Sequence, residues 1–211
     1  MKRVILFISI MFIPSIIQAQ RVKFGFKGGL NLANQISNQV SFPIGVATND
    51  KNRVSFHAGI YSQFIVGNKF GIQPEVIYSQ QGARDSNYPA NNAMTTYINV
   101  PIMLRYEILR KVDIQSGPQM GILVNARFSN GVGNRELYNS KEFAWAFGSG
   151  IDLPWGLRLT LRYSLGISNI INNNAQFYNR GQEPQHIFAA NRVFQISLGF
   201  QCFGKHYPQT D

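Results

Sequence analysis

The chain has 211 residues, 45% of them hydrophobic, 13% aromatic and only 14% charged, with 19 Gly, one Cys and a formal net charge of +10. So low a charged share, against roughly 25% in soluble globular chains, speaks against an ordinary soluble surface, and the many aromatic and branched apolar residues exclude disorder. Cys202 has no partner within the chain, which excludes a disulfide scaffold, and beyond the N-terminus no apolar run approaches the roughly 18 residues of a spanning helix.

The first element is a targeting segment. Lys2 and Arg3 form a positive start, Val4 to Ile17 is apolar except for Ser9, Pro14 and Ser15, and Ile17-Gln18-Ala19 ends on a small residue. This is the layout of a secretory signal peptide, residues 1–19, with cleavage before Gln20. The short apolar stretch and Pro14 disfavour an uncleaved anchor, and no Cys follows the site to carry a lipid. Cleavage removes Lys2 and Arg3 and takes the net charge from +10 to +8. Residues 20–211 are expected to form one exported domain.

From residue 22 onward the chain alternates with the period of a strand. Weak alternation marks Val22 to Ala33, Arg53 to Val66 and Phe70 to Gln81. Stronger alternation follows at Tyr97 to Ile108, where Ile98, Val100, Ile102, Leu104 and Tyr106 share a face, and at Val112 to Phe128, where Ile114, Met120, Ile122, Val124, Ala126 and Phe128 do so. Glu142 to Leu153 is weaker. Leu157, Leu159, Leu161, Tyr163, Leu165 and Ile167 give the cleanest pattern, and Arg192 to Phe203 closes the series. Eight strands are predicted, most of them ten residues or longer, where soluble strands cluster near 5–6 and bilayer-crossing strands need about 9–11.

The connections alternate too. Gly67-Asn68, Arg110-Lys111 and Pro154-Trp155-Gly156 are short; Asn34 to Asn52, Gly82 to Met94, Ser129 to Lys141 and Ile170 to Asn191 are long and polar. Short turns on one side and long loops on the other are the layout of outer-membrane barrels. The expected fold is therefore all-β, an eight-stranded antiparallel up-and-down transmembrane barrel with both termini in the periplasm. A soluble barrel with an apolar lumen shares the periodicity. Inversion is favoured by strand length, low charge and aromatics toward the strand ends (Phe24, Phe56, Phe70, Tyr106, Phe128, Phe143, Trp145), as interfacial girdles require.

Several segments are familiar in series: Lys23-Phe24-Gly25-Phe26-Lys27-Gly28-Gly29-Leu30-Asn31, Ile72-Gln73-Pro74-Glu75-Val76-Ile77-Tyr78-Ser79-Gln80-Gln81-Gly82, Tyr97-Ile98-Asn99-Val100-Pro101, Gly117-Pro118-Gln119-Met120-Gly121 and Arg162-Tyr163-Ser164-Leu165-Gly166. Together they resemble the PorT-type outer-membrane β-barrel family of Bacteroidetes, over almost the whole mature chain. The resemblance implies the barrel fold and, through the family's founding member, a link to protein secretion across the outer membrane.

The polar face is expected to fill the lumen. Its charges are five basic (Lys23, Lys27, Arg105, Arg158, Arg162) and four acidic (Glu75, Glu107, Asp113, Asp152), joined by neutral groups such as Asn31, His57, Gln73, Gln115 and Asn125. Buried charges persist when paired, and eight strands enclose a space that side chains just fill, so a plugged polar core is expected over a narrow or gated pore. Catalysis would need a nucleophile and a base; His57 with Ser55 or Ser79 is the candidate pair, without a GxSxG elbow to support it, and no enzymatic activity is expected. His57, His186 and His206 are far apart and no metal site is expected. No cofactor is implied. The basic residues are scattered, which speaks against nucleic acid; Lys51, Arg53, Arg84, Arg135, Lys141, Arg180 and Arg192 would instead meet lipopolysaccharide phosphates or solvent. Phe177, Tyr178 and Phe188 form a possible contact on the fourth loop. The last strand ends in Phe203, similar to the signal read by the barrel-insertion machinery, with a short tail from Gly204 to Asp211 behind it. The expected partners are outer-membrane lipid and lipopolysaccharide, that insertion machinery and secretion-system proteins. The expected role is that of an accessory or scaffold barrel, with surface adhesion, ligand binding through the loops, or a narrow channel as alternatives.

Overall fold

Alternating side chains give each strand one apolar and one polar face, and a sheet of such strands can hide one face only by closing on itself. The computed structural model describes residues 21–37, 50–85, 92–128, 135–172 and 188–203. These form β1 (Arg21–Ser37), β2 (Asp50–Val66), β3 (Phe70–Asp85), β4 (Ala93–Leu109), β5 (Val112–Phe128), β6 (Lys141–Asp152), β7 (Leu157–Gly166) and β8 (Ala189–Phe203). Every strand pairs antiparallel with its neighbours in sequence, and β1 pairs with β8 through fourteen registered positions, from Phe24↔Phe203 to Ser37↔Ala189. The barrel is closed. The expected signal peptide, Phe177, Tyr178, Arg180, His186, His206 and the tail from Gly204 lie outside the described residues.

The apolar face points outward. Phe26, Leu30, Ile60, Phe70, Leu104, Phe143, Trp145, Ile167 and Leu198 are all exposed, while the alternate positions carry buried Lys27, Asn31, His57, Glu75, Arg105, Asp113 and Arg162. Aromatic pairs cross the outer surface: Phe26 and Phe200 at 5.6 Å over the β1–β8 seam, and Phe70 and Tyr106 at 4.9 Å over β3–β4. This is the inverse of a soluble barrel, with lipid as the solvent of the outer face.

Two features depart from the sequence expectation. Most strands run further on the long-loop side: β1 reaches Ser37 rather than Ala33, β3 reaches Asp85 rather than Gln81, and β4 starts at Ala93 rather than Tyr97. β7 instead stops at Gly166. The added residues lie beyond the apolar band, where hydrophobic alternation fades but the backbone ladder continues. Seventeen residues at about 3.3 Å each, tilted by about 45°, rise roughly 40 Å against an apolar band of about 25 Å. The second departure is in β5. The β4–β5 register slips between Thr96↔Asn125 and Tyr97↔Leu123, so a bulge reverses the faces beyond it. Leu123 and Ala126 are buried inside and Asn125 is exposed outside. Asn125 therefore leaves the expected lumen set, and Phe128 shares the inward face of Ala126 instead of joining the girdle.

Three tight turns close the other end. Gly67 takes a left-handed φ of 64°, which costs glycine nothing, but Lys111 (φ 73°) and Trp155 (φ 60°) take it with a side chain.

Candidate functional site: a filled polar lumen

The lumen is built in layers, each tying distant strands together. Nearest the short turns, Asp113 of β5 accepts from Arg105 of β4 and from Arg158 of β7, and Arg158 also binds Asp152 of β6. One carboxylate thereby joins three strands, and its second arginine reaches a fourth.

The middle layer centres on Glu75 of β3, whose side chain is fully buried. Arg162 of β7 grips it with both ends of the guanidinium, Nη1 to Oε2 at 2.8 Å and Nη2 to Oε1 at 2.7 Å. Lys27 of β1 approaches Oε2 at 2.6 Å from the other side. Gln73 donates to Glu75 Oε1 at 2.6 Å and accepts from Arg105 Nη1 at 3.3 Å, linking this layer to the one below. Arg162 also donates to Gln115 Oε1 at 2.8 Å. The fork-to-fork geometry and the extra donors are what allow these charges to stay buried.

Above it, Asn31 Nδ2 donates to the carbonyl of Gln80 at 2.7 Å, which fixes its Oδ1 as an acceptor. His57 Nδ1 lies 2.7 Å from that Oδ1, so Nδ1 carries the proton and Nε2 accepts from the Ser197 hydroxyl at 2.8 Å. Ser197, His57 and Asn31 have the connectivity of nucleophile, base and orienting group. All three are sealed from solvent, at 2%, 1% and 0% exposure. The expected partners of His57 are placed elsewhere: Ser55 donates to the Gln80 carbonyl, and Ser79 accepts from Asn31.

Toward the long loops, Glu142 of β6 is buried with one neutral donor, Asn191 Nδ2 at 2.9 Å, and Gln35 holds Asn191 in turn at 3.0 Å. An apolar cluster of Tyr97, Leu123, Ala126, Tyr138, Ile170, Ile171 and Ala189 caps this layer. Tyr138 and Ile171 form a bridge, extending the β6–β7 wall past the regular strands.

Of the residues expected in the lumen, the structure brings Lys27, Glu75, Arg105, Asp113, Asp152, Arg158 and Arg162 into one network. Lys23 and Glu107 sit apart from its ion pairs, lining a hollow of about 70 Å³ at the short-turn mouth. Phe188 is partly exposed beside β8. Glu142 and Ser197 were not anticipated, although parity with Asp152 and Gln195 places both inside. Among the described residues no group of three His, Cys, Asp or Glu is gathered for a metal.

A closed eight-stranded barrel with an apolar outside, a charged inside and one long-loop end defines an integral outer-membrane barrel. Residues 18–172 match the family described as outer membrane protein beta-barrel domain, and the chain belongs to that family. It resides in the outer membrane of a Gram-negative cell. The fold is similar to Neisserial surface protein A, with a TM-score of 0.55 at 9% identity over 85% of this chain and 97% of that one. Ail, the attachment invasion locus protein of Yersinia pestis, is more distant, with a TM-score of 0.45 at 11% identity over 85% and 99% of the two chains. Comparison with curated proteins returns no match.

Proposed function

We propose that the protein is a non-enzymatic, non-conducting barrel that works through its outer surfaces, as an accessory or scaffold in an outer-membrane assembly. The observation that carries this reading is the filled lumen, in which Glu75, Arg162, Lys27, Asp113 and Arg158 tie the four strands β1, β3, β5 and β7 together through buried ion pairs. The sealed Ser197–His57–Asn31 trio supports a structural role for this catalytic-like arrangement of described residues. PorT-type protein secretion is the assembly favoured by the sequence resemblance, and secretion-system proteins are then its partners. On the long-loop side Lys51, Arg84, Arg127, Lys141 and Arg192 are exposed, and lipopolysaccharide phosphates are the matching chemistry.

The test is a clean deletion in the native organism with the secreted proteins followed by compartment. Periplasmic retention of cargo, restored by the wild-type gene, is expected. An unchanged secretome overturns the secretion role and leaves the second reading, adhesion or ligand binding through the long loops, which the projecting strands favour.

A further inference from the structure

The lipid-facing wall is not evenly padded. Across β3 to β6 one register row reads Ile72, Leu104, Ser116, Phe147, and the next reads Phe70, Tyr106, Ile114, Ser149. A serine among large side chains leaves a notch in each row. The result is a groove of about 590 Å³, walled by Phe70, Ile72, Leu104, Tyr106 and Phe147 and floored by Ser116. That volume falls within the roughly 300–1,000 Å³ of pockets that hold small organic ligands. The Ser116 hydroxyl is not left bare toward lipid, because Trp145 Nε1 donates to it at 2.9 Å.

The groove runs to the short-turn end, where three cations are exposed. Lys69 directly precedes Phe70, and its carbonyl accepts from the Glu107 N–H of β4 at 2.8 Å. Arg110 and Lys111 make the β4–β5 turn, and the Lys111 carbonyl accepts from the Asp152 N–H at 2.8 Å. Backbone bonds to neighbouring strands thus fix both cationic turns at the same end of the barrel as Val66 and Phe70 of the groove wall. The nearby acids look elsewhere: Asp152 is bound to Arg158, and Glu107 lines the lumen mouth.

We propose that this groove is a binding site for one anionic phospholipid of the periplasmic leaflet, with an acyl chain over Ser116 and the phosphate against Lys69, Arg110 and Lys111. In a bilayer one acyl chain replaces another, so burial of hydrocarbon supplies no preference. Selection among lipids falls to groove shape and to headgroup charge. This inference is independent of the secretion role.

The test is native mass spectrometry of the full-length barrel released from mixed micelles containing equal phosphatidylglycerol and phosphatidylcholine. One retained phosphatidylglycerol is expected, preferred about tenfold over phosphatidylcholine. Ser116→Phe, which fills the floor, is expected to abolish retention; Ser116→Leu serves if the first variant fails to show the heat-dependent gel mobility of a folded barrel. Lys69→Gln combined with Arg110→Gln and Lys111→Gln is expected to remove the headgroup preference. Equal retention of the two lipids by the wild-type protein overturns the proposal without recourse to any variant. So does undiminished phosphatidylglycerol retention in a folded groove-filled variant, or a dimer that fills the groove with a second copy.

Discussion

Three buried or half-buried glutamates show how differently one residue type is used along this lumen. Glu75 answers two cations, so Glu75→Ala leaves Arg162 and Lys27 buried without a counter-charge and is expected to cost about 3–5 kcal/mol in urea unfolding of the detergent-folded barrel. Glu142 has only the Asn191 amide. Glu142→Gln keeps an acceptor there and removes a poorly compensated charge, and its unfolding midpoint is expected to stay level or rise. Glu107 is only partly buried at the mouth, and Glu107→Gln should change stability by no more than about 0.5 kcal/mol. A ranking in which Glu142→Gln is as damaging as Glu75→Ala would contradict the assignment of the network. Period-2 parity placed most of these side chains on the inner face from sequence alone, because the pleat leaves no third option. It carries nothing about which inward group meets which across the barrel. His57 was paired in prospect with Ser55 or Ser79, its neighbours in the sheet, whereas its hydroxyl partner is Ser197 on the last strand.

At the scale of strands, closure depends on β1 meeting β8 at short range. A Cβ at Gly29 would overlap the Ile196 backbone carbonyl, and no rotamer relieves a backbone clash. Gly29→Val is therefore expected to weaken the seam by at least about 1–3 kcal/mol and to reduce the folded, heat-modifiable fraction. The β5 bulge makes a second prediction. Asn125→Cys, placed outside the barrel beyond the apolar band, should react with a membrane-impermeant maleimide on intact cells, and Val76→Cys, within the band, should not; the reverse would contradict the bulge or the depth assigned to the strands. Strand number and order were legible because lipid enforces a long, regular alternation. The extensions and the face reversal were not. Above the bilayer the outer face turns polar and the inner face carries small or apolar side chains such as Ala83, Ala93 and Ala126, so the pattern that marks a lipid-facing strand fades while the hydrogen-bond ladder persists.

The whole molecule is a small barrel whose interior is spent on holding itself together. Charged layers sit below, a neutral Asn–His–Ser layer above them, and the Tyr97–Leu123–Ile170 cluster closes the long-loop end. On the proposed reading the outside is what serves function: the lipid-facing wall with its groove, and the strand extensions that rise past the apolar band. Composition and periodicity reached the membrane, the barrel and the expectation of a polar plug; the layering of that plug and its pairings became visible only when the strands were brought together. Single-channel recording of the full-length barrel in a planar bilayer tests this account most directly. It predicts a quiet membrane, with no discrete openings while the barrel is demonstrably inserted and folded. Reproducible conductance steps whose size changes with Arg162→Gln or Glu75→Gln would contradict it, because ions would then be passing through the layer described as solid.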